Sequence, residues 1–331
     1  MSAFPVPSAL AQAIPPLELE HFKKAKTIRF DDPDTLLIAT IDHMDVDPAG
    51  RILLVDQISR QVLLFDSTGT LLASLDPTAC HPGFTFHPIT AHFGGDTFIF
   101  IQNSIPWGFR FTSEGDCLGS TDKDFVGDRF FDIDPAGTLY GSYPGRPDPT
   151  QRTLRRMSST GEKLEEFPMP PSKYPVATKG VVGGGLIADG EYLFYASAPE
   201  RDILKFSLDG TLLDRISQRS AWFRFPSQDL PANVQQRLMN FGKWARNITT
   251  NGGLFELTDQ TLMVQYNNKD RGGGYQVFSK DGVLIAEELG TKLILFLHAA
   301  NGLVYRVVQP RLDDQGALPN PYLEVYRFVT P

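Results

Sequence analysis

One five-residue pattern recurs along the chain and constrains its fold more than anything else in it. The copies run Phe65 to Gly69, Phe111 to Gly115, Met157 to Gly161, Phe206 to Gly210 and Phe278 to Gly282. An apolar run precedes each copy, as in Val62-Leu63-Leu64-Phe65 and Ile203-Leu204-Lys205-Phe206. Another follows, as in Leu71-Leu72-Ala73 and Val283-Leu284-Ile285. Strand, glycine turn, strand is a β-hairpin, with the glycine supplying the positive φ that the turn needs. A second hairpin precedes most copies: Met44 to Asp56, Phe131 to Ser142 and Leu186 to Ser197. Looser versions stand at His92 to Gln102, Leu254 to Tyr266 and Phe296 to Val308. Two consecutive hairpins make four strands, which is one blade of a β-propeller.

The spacing counts the blades. Successive copies begin 46, 46 and 49 residues apart, and then 72, one repeat plus an insertion of about 25. A sixth copy falls due near residues 326–328, where the chain reads Leu323-Glu324-Val325-Tyr326-Arg327-Phe328 and ends at Pro331 without a fourth strand. The strand-like run from Lys26 to Phe30 lies before the first blade and is free to supply it. The expected fold is all-β: a six-bladed β-propeller with four-stranded antiparallel blades, an N-terminal strand closing the last blade, and one helical insertion. Its domain is read as 25–331, after a flexible tail of 1–24. Closing the ring removes the sheet edges that would otherwise template aggregation.

The segment Asp42 to Leu75 resembles an NHL-type repeat. The resemblance is carried by Asp47-Pro48-Ala49-Gly50, by Ile52-Leu53-Leu54-Val55-Asp56, and by Val62-Leu63-Leu64-Phe65 followed by Gly69. Gln61 stands where such repeats usually have Arg. The chain is similar, over residues 25–329, to bacterial six-bladed propellers with NHL-like repeats. That resemblance implies a fold and leaves function open among lactonases, lyases, scaffolds and binding proteins. Lactonases of the gluconolactonase type use a channel set of Glu, Asn and Asp. Here Ile41-Asp42-His43 stands where the first blade would supply the Glu.

Composition enters as a set of exclusions. With 331 residues the chain has room for about two domains, but the repeats gather it into one. Its 29 Gly and 25 Pro are too much punctuation for a helical bundle. A net charge of −8 speaks against a nucleic-acid partner. No run of 18 apolar residues is present, so no membrane span is expected. Cys80 and Cys117 are too few for a disulfide framework and are read as two separate thiols, with one bridge open to them in an exported protein. The Pro- and Ala-rich start lacks the basic and apolar regions of a signal peptide, although Ala9-Leu10-Ala11-Gln12-Ala13 has the look of a cleavage site. A periplasmic or extracellular location is slightly favoured over the cytoplasm, and a monomer is expected.

The short turns fall on one face of such a ring. The longer connections fall on the other: Asn103 to Trp107, Tyr143 to Gln151, Asn267 to Gly274, Gln309 to Pro321, and the insertion at about 217–246. Function tends to sit on loops over a rigid scaffold. The insertion carries the one helix signal, with Pro231 in its first turn and Val234, Leu238, Phe241 and Ala245 at helical spacing. It is read either as a partial lid or as a helix packed on the rim. Aromatic and Arg side chains on this face (Trp107, Tyr143, Arg146, Trp222, Phe223, Arg224, Phe225, Trp244, Tyr266, Arg271) are the usual anchors of a binding surface.

Four of the six histidines, His43, His87, His92 and His298, lie at or near innermost strands, which line the channel. Asp42, Asp45, Asp132 and Asn247 occupy comparable places. The first reading is a non-catalytic protein binding a small molecule or a protein partner on the loop-rich face through His43, Trp107, Arg146, Trp222, Arg271 and His298, with no cofactor. The alternative is a metal-assisted hydrolase or lyase, with a divalent metal on His43, Asp45, Asp132 and His298. Each of these residues is also open to a purely structural role at a blade junction. The spacing of Cys80, His81, His87 and His92 matches no closed zinc site. The triplets Gly183 to Gly185 and Gly272 to Gly274 lack the Lys-Ser/Thr of a phosphate loop, and no serine sits in a Gly-x-Ser-x-Gly elbow.

Overall fold

The structure is a computed structural model that describes residues 19–30, 36–104, 108–121, 130–144, 152–170, 184–197, 200, 202–217, 220–224, 249–268, 270–291, 295–310 and 319–330. Strand β1 is Phe22–Arg29. The first blade follows as β2 (His43–Val46), β3 (Ile52–Asp56), β4 (Gln61–Phe65) and β5 (Leu71–Ser74). The second is β6 (Pro88–Gly94), β7 (Phe98–Asn103), β8 (Gly108–Thr112) and β9 (Cys117–Ser120). The third is β10 (Phe130–Ile133), β11 (Leu139–Pro144), β12 (Arg152–Met157) and β13 (Lys163–Pro168). The fourth is β14 (Gly184–Ala188), β15 (Tyr192–Ser197), β16 (Asp202–Ser207) and β17 (Leu212–Ser217). The fifth is β18 (Thr250–Thr258), β19 (Thr261–Asn268), β20 (Gly272–Ser279) and β21 (Leu284–Thr291). The last contains β22 (Phe296–Ala300), β23 (Leu303–Val308) and β24 (Tyr322–Phe328).

Each blade is an antiparallel sheet in chain order, except the last, whose order is β1-β24-β23-β22. The N-terminal strand therefore supplies the missing fourth strand, pairing from Phe22↔Phe328 to Arg29↔Tyr322. It begins at Phe22, inside the stretch read as tail. The innermost strands neighbour one another around the ring, and β22 meets β2 to close it.

The middle strands of the first blade are almost wholly apolar because both of their faces are buried. In β3, Ile52 and Leu54 pack toward the last blade, while Leu53 and Val55 pack toward the second. β4 repeats this with Leu63 and Phe65 against Val62 and Leu64. Six apolar clusters result, one at each blade junction. Successive residues alternate faces in a strand, so a stacked blade shows runs where a half-exposed sheet would show alternation.

The recurring glycine has a second cause besides its turn. Gly69 and its four equivalents share a positive φ of +83 to +103, at +100 for Gly69 itself. A Cβ on Gly69 would lie 2.2 Å from the carbonyl oxygen of Arg29 in β1. Its equivalents Gly115, Gly161, Gly210 and Gly282 approach Ala73, Thr121, Phe167 and Ile216, each on or just after the outer strand of the preceding blade. β1 thus receives the first blade's turn as a fourth strand would, and Lys26 Nζ adds a bond to Ser67 O at 3.1 Å.

Two expectations are corrected. Cys80 and Cys117 are joined in a disulfide, with Cα atoms 6.0 Å apart across 37 residues of sequence. Cys80 follows a single 3-10 turn, Pro77–Ala79, in the connection between the first two blades, and Cys117 opens β9. The stretch from Asn267 to Gly274 is not a long loop. Strands β19 and β20 run through it and pair Tyr266↔Gly274, Asn267↔Gly273 and Asn268↔Gly272. The helix expected within 217–246 lies outside the described residues from 225 onward. No helix among the described residues is long and apolar enough to cross a membrane.

Replacing Gly69 with alanine combines a disfavoured φ with a clash against backbone. We expect a loss of at least about 2 kcal/mol in chemical denaturation. Replacing both cysteines with serine frees a closed loop of 37-residue separation and should lower stability by about 4 kcal/mol on the chain-entropy relation. An unchanged denaturation midpoint in either variant contradicts the corresponding contact.

Candidate functional site

The sequence writes one motif twice, x-Asp-x-Asp-Pro-Ala-Gly, at Met44 to Gly50 and Phe131 to Gly137. In both copies the second aspartate shapes the turn. Asp47 Oδ1 accepts from Arg51 N at 2.7 Å, and Asp134 Oδ1 accepts from Thr138 N at 2.8 Å. The first aspartate, two residues back on the innermost strand, reaches into the channel. Asp45 accepts from Val46 N at 2.9 Å and from Phe93 N of the second blade at 2.8 Å. Asp132 accepts from Ile133 N at 2.9 Å and from Ala188 N of the fourth blade at 2.8 Å. Each carboxylate therefore joins its blade to the next.

Three histidines gather on these two aspartates. His43 lies two residues before Asp45 on β2, so both side chains share one face of the strand. Its Nδ1 accepts from Ala91 N at 3.4 Å. The rings of His43 and His92 are 4.7 Å apart. His92 Nδ1 stands 3.8 Å from Asp132 Oδ1. His298 sits at a β-bulge of β22, the kind of irregularity that re-aims a side chain. Its Nε2 approaches Asp45 Oδ1 at 3.5 Å without hydrogen-bond geometry. Five titratable groups from four blades thus form one chain around the channel: His298, Asp45, His43, His92 and Asp132. Nε2 of His92 is buried with no hydrogen-bond partner among the described residues.

Burial governs their charge. It lowers His43 and His298 to about 4, and holds His92 well below the usual histidine range. Burial raises Asp45, and pushes Asp132 up to about 8 against the pull of its two amide donors. Asp45 and Glu256 add to that rise as like charges. At neutral pH the three rings are neutral bases beside a protonated Asp132.

The expected site residues separate into three groups. His43, Asp45, Asp132 and His298 come together, linked by His92. Trp222 and Arg271 meet each other instead, with Arg271 Nη1 donating to Trp222 O at 2.9 Å. The Trp222 indole packs beside Gly290 of β21 and Phe223. β21 is an outermost strand, three strands or roughly 14 Å from the innermost one. Trp107 and Arg146 lie outside the described residues, as do Phe225, Trp244 and Asn247. Tyr266 is fully buried and bonds Gln276. Asp42 stays in the segment before β2, bound to Thr40 and Gln57. His87 precedes β6, about five residues or 16 Å along the strand from His92. Cys80 belongs to the disulfide, which removes it as a metal ligand. Among the described residues no three His, Cys, Asp or Glu side chains are arranged to hold a metal ion.

Glu256 did not stand out in the sequence. It lies near the turn end of β18, where Lys280 Nζ bridges it and Asp189 at 2.6 Å each.

No protein-family model matches the chain, and no curated protein matches it. Solved structures match it in fold. A Bacteroides fragilis NCTC 9343 protein assigned as exported superposes with a TM-score of 0.68 at 10% identity, over 93% of this chain and 96% of that one. A member of the DUF4221 family from Bacteroides vulgatus ATCC 8482 gives 0.60 at 9% identity, over 94% and 99%. A catalytically inactive virginiamycin B lyase from Staphylococcus aureus, with quinupristin, gives 0.50 at 12% identity, over 92% and 88%. At these identities the likeness is one of fold.

The proton on Asp132 makes a pH prediction. Folded, the group holds its proton up to about pH 8, while the unfolded chain releases it near the ordinary aspartate value of 3.8. Stability from this group is therefore lost as pH rises through the folded value. The histidines act in the opposite sense, but lower, between about 4 and 6.5. From pH 6.5 to 8 the wild type should lose about 2 kcal/mol in urea denaturation, and Asp132→Asn should flatten that slope. A slope unchanged by the substitution contradicts the assignment.

Proposed function

We propose that the protein is a binding propeller that seats a small polar ligand against the channel histidines and aspartates. The observation that carries this reading is the buried, unpartnered Nε2 of His92 inside a cluster of five titratable groups. Buried polar atoms are ordinarily satisfied, and an exception calls for a physical reason, a bound group being one. β2 enters the channel at His43 from the loop-rich side, so a ligand arriving over that face meets His43 first. Trp222 and Arg271 support the rim of that face by packing on each other. The NHL-type character of the repeats belongs to the same proposal, carried by Asp47 to Gly50 and Val62 to Phe65. Export does too: a disulfide persists in oxidising compartments, and one protein of similar fold is assigned as exported.

A second reading has its own support. His92 has a carboxyl group on its Nδ1 side and a bare Nε2 on the other. That is how an aspartate orients a histidine acting as general base. One protein of similar fold is a lyase, inactive when a histidine is replaced by alanine.

A thermal-shift screen against a library of small polar metabolites separates the readings. Compounds that raise the Tm of the wild type should lose that effect in His92→Phe and His298→Phe, and should be recovered unchanged. Hits unaffected by both substitutions contradict the channel site. Chemical conversion of a hit, or of quinupristin, that disappears in His92→Gln selects the catalytic reading over simple binding.

A further inference from the structure

We propose that the outer edge of the closing strand, β1, docks an extended acidic segment of a protein partner. This surface lies three strands out from the channel and does not depend on the binding reading above. Charge is spread unevenly among the blades. The strands of the last blade carry six cations, Lys23, Lys24, Lys26, Arg29, Arg306 and Arg327, against one carboxylate, Glu324. The strands of the blades on either side carry no lysine or arginine. They hold Asp45 and Asp56 in the first blade, and Glu256, Glu287 and Glu288 in the fifth. This basic strip stands in a chain whose net charge is −8.

The cations face solvent: Lys23, Lys24, Lys26 and Arg29 on β1 and Arg327 on β24 are all exposed. Lys24 and Arg306 share Glu324, at 2.6 and 3.0 Å. Lys26 meets a carbonyl, Ser67 O, and Arg29 lies over the Tyr322 ring. Lys23 stands directly opposite Arg327 across the strand pair, and neither has an ion-pair partner among the described residues. Like charges so placed repel each other, and a carboxylate arriving between them turns that cost into attraction. Lysines also guard exposed sheet edges against pairing. Guarding alone does not account for this strip, because β5 and β9, outer strands of the first two blades, carry no charged residue and expose Leu71, Leu72 and Leu118.

The shape of the strip selects the partner. β1 is the end strand of its sheet, so its outward main-chain groups have no strand beside them. An extended peptide brings a main chain to meet those groups and carboxylates to face the lysines. The strip is one strand wide and 8 residues long, about 26 Å. An anionic bilayer is far broader than this. It would press the exposed Glu287 of the fifth blade, next to Glu288 that accepts from Glu20 N just before β1, against its own headgroups.

The test is fluorescence anisotropy of a labelled peptide of about ten residues, alternating Glu and Thr, titrated with the full-length protein at low ionic strength. A Gln-Thr peptide, a heparin fragment and phosphatidylglycerol vesicles are run beside it. The Glu-Thr peptide should bind saturably, at least about tenfold more tightly than the Gln-Thr peptide, and should weaken as salt is added. Lys23→Glu should weaken it about threefold, and Lys23→Glu with Arg327→Glu about tenfold. Lys23→Glu alone sets opposite charges across the strand pair, so its Tm should equal or exceed that of the wild type. That separates lost binding from lost folding, and the single variant decides the matter should the double variant unfold. Lys163→Gln, on the outer strand of the third blade, should leave binding unchanged. Equal binding of the two peptides, or Glu-Thr binding untouched by the β1 and β24 substitutions, overturns the proposal. Binding of heparin or of the vesicles without binding of the peptide overturns it too. None of these results bears on the channel site, which the thermal-shift screen tests.

Discussion

The structure depends on a single strand pairing, β1 against β24. Without it the last blade has three strands, and the first blade's turn at Gly69 has nothing to rest on. With it, β22 and β2 become neighbours, and a residue near the end of the chain meets one near its start. The approach of His298 to Asp45 is a direct product of that closure. So the same backbone hydrogen bonds that remove the free edges of the ring also assemble the channel cluster. Local packing inside any one blade does not produce it, because each blade contributes at most two of the five groups.

The aspartates of that cluster serve two purposes at once. Asp45 and Asp132 each span a blade junction through an amide of the next blade, which is a structural task. Their second task follows from where the junction lies. Burial disfavours the charged carboxylate, so Asp132, placed there for stapling, also carries a proton at neutral pH, and Asp45 is shifted in the same direction. The two histidines nearest to them, His298 and His92, are held neutral by the same low-dielectric setting. A blade staple and a binding group are therefore not competing descriptions of these residues.

Much of the fold was legible in the sequence, for definite physical reasons. Each glycine turn needs positive φ and close approach to a neighbouring strand, so its position is marked by a residue that cannot be exchanged. The middle strands are largely buried on both faces, so several of them, β3 and β7 above all, read as apolar runs. Counting turns against chain length exposed the missing fourth strand. Other features left weaker marks. The disulfide joins residues 37 apart whose approach depends on how the second blade folds back on its connection. Strands β19 and β20 hide under Gly272 to Gly274, which look like a loop but pair as backbone. The channel histidines were visible as a set, since innermost strands are identifiable. Which of them converge was not, because the bulge in β22 decides where His298 points. His92 links the two aspartates only through its face of β6. For Trp222 and Arg271 the signal was ambiguous at source: the same aromatic and guanidinium groups serve docking and packing equally well.

The channel cluster consists of neutral imidazoles at neutral pH, and the imidazole nitrogen-15 spectrum of the protein tests this most directly. His43, His92 and His298 should each show one protonated and one bare nitrogen. An imidazolium signal from any of the three would contradict it.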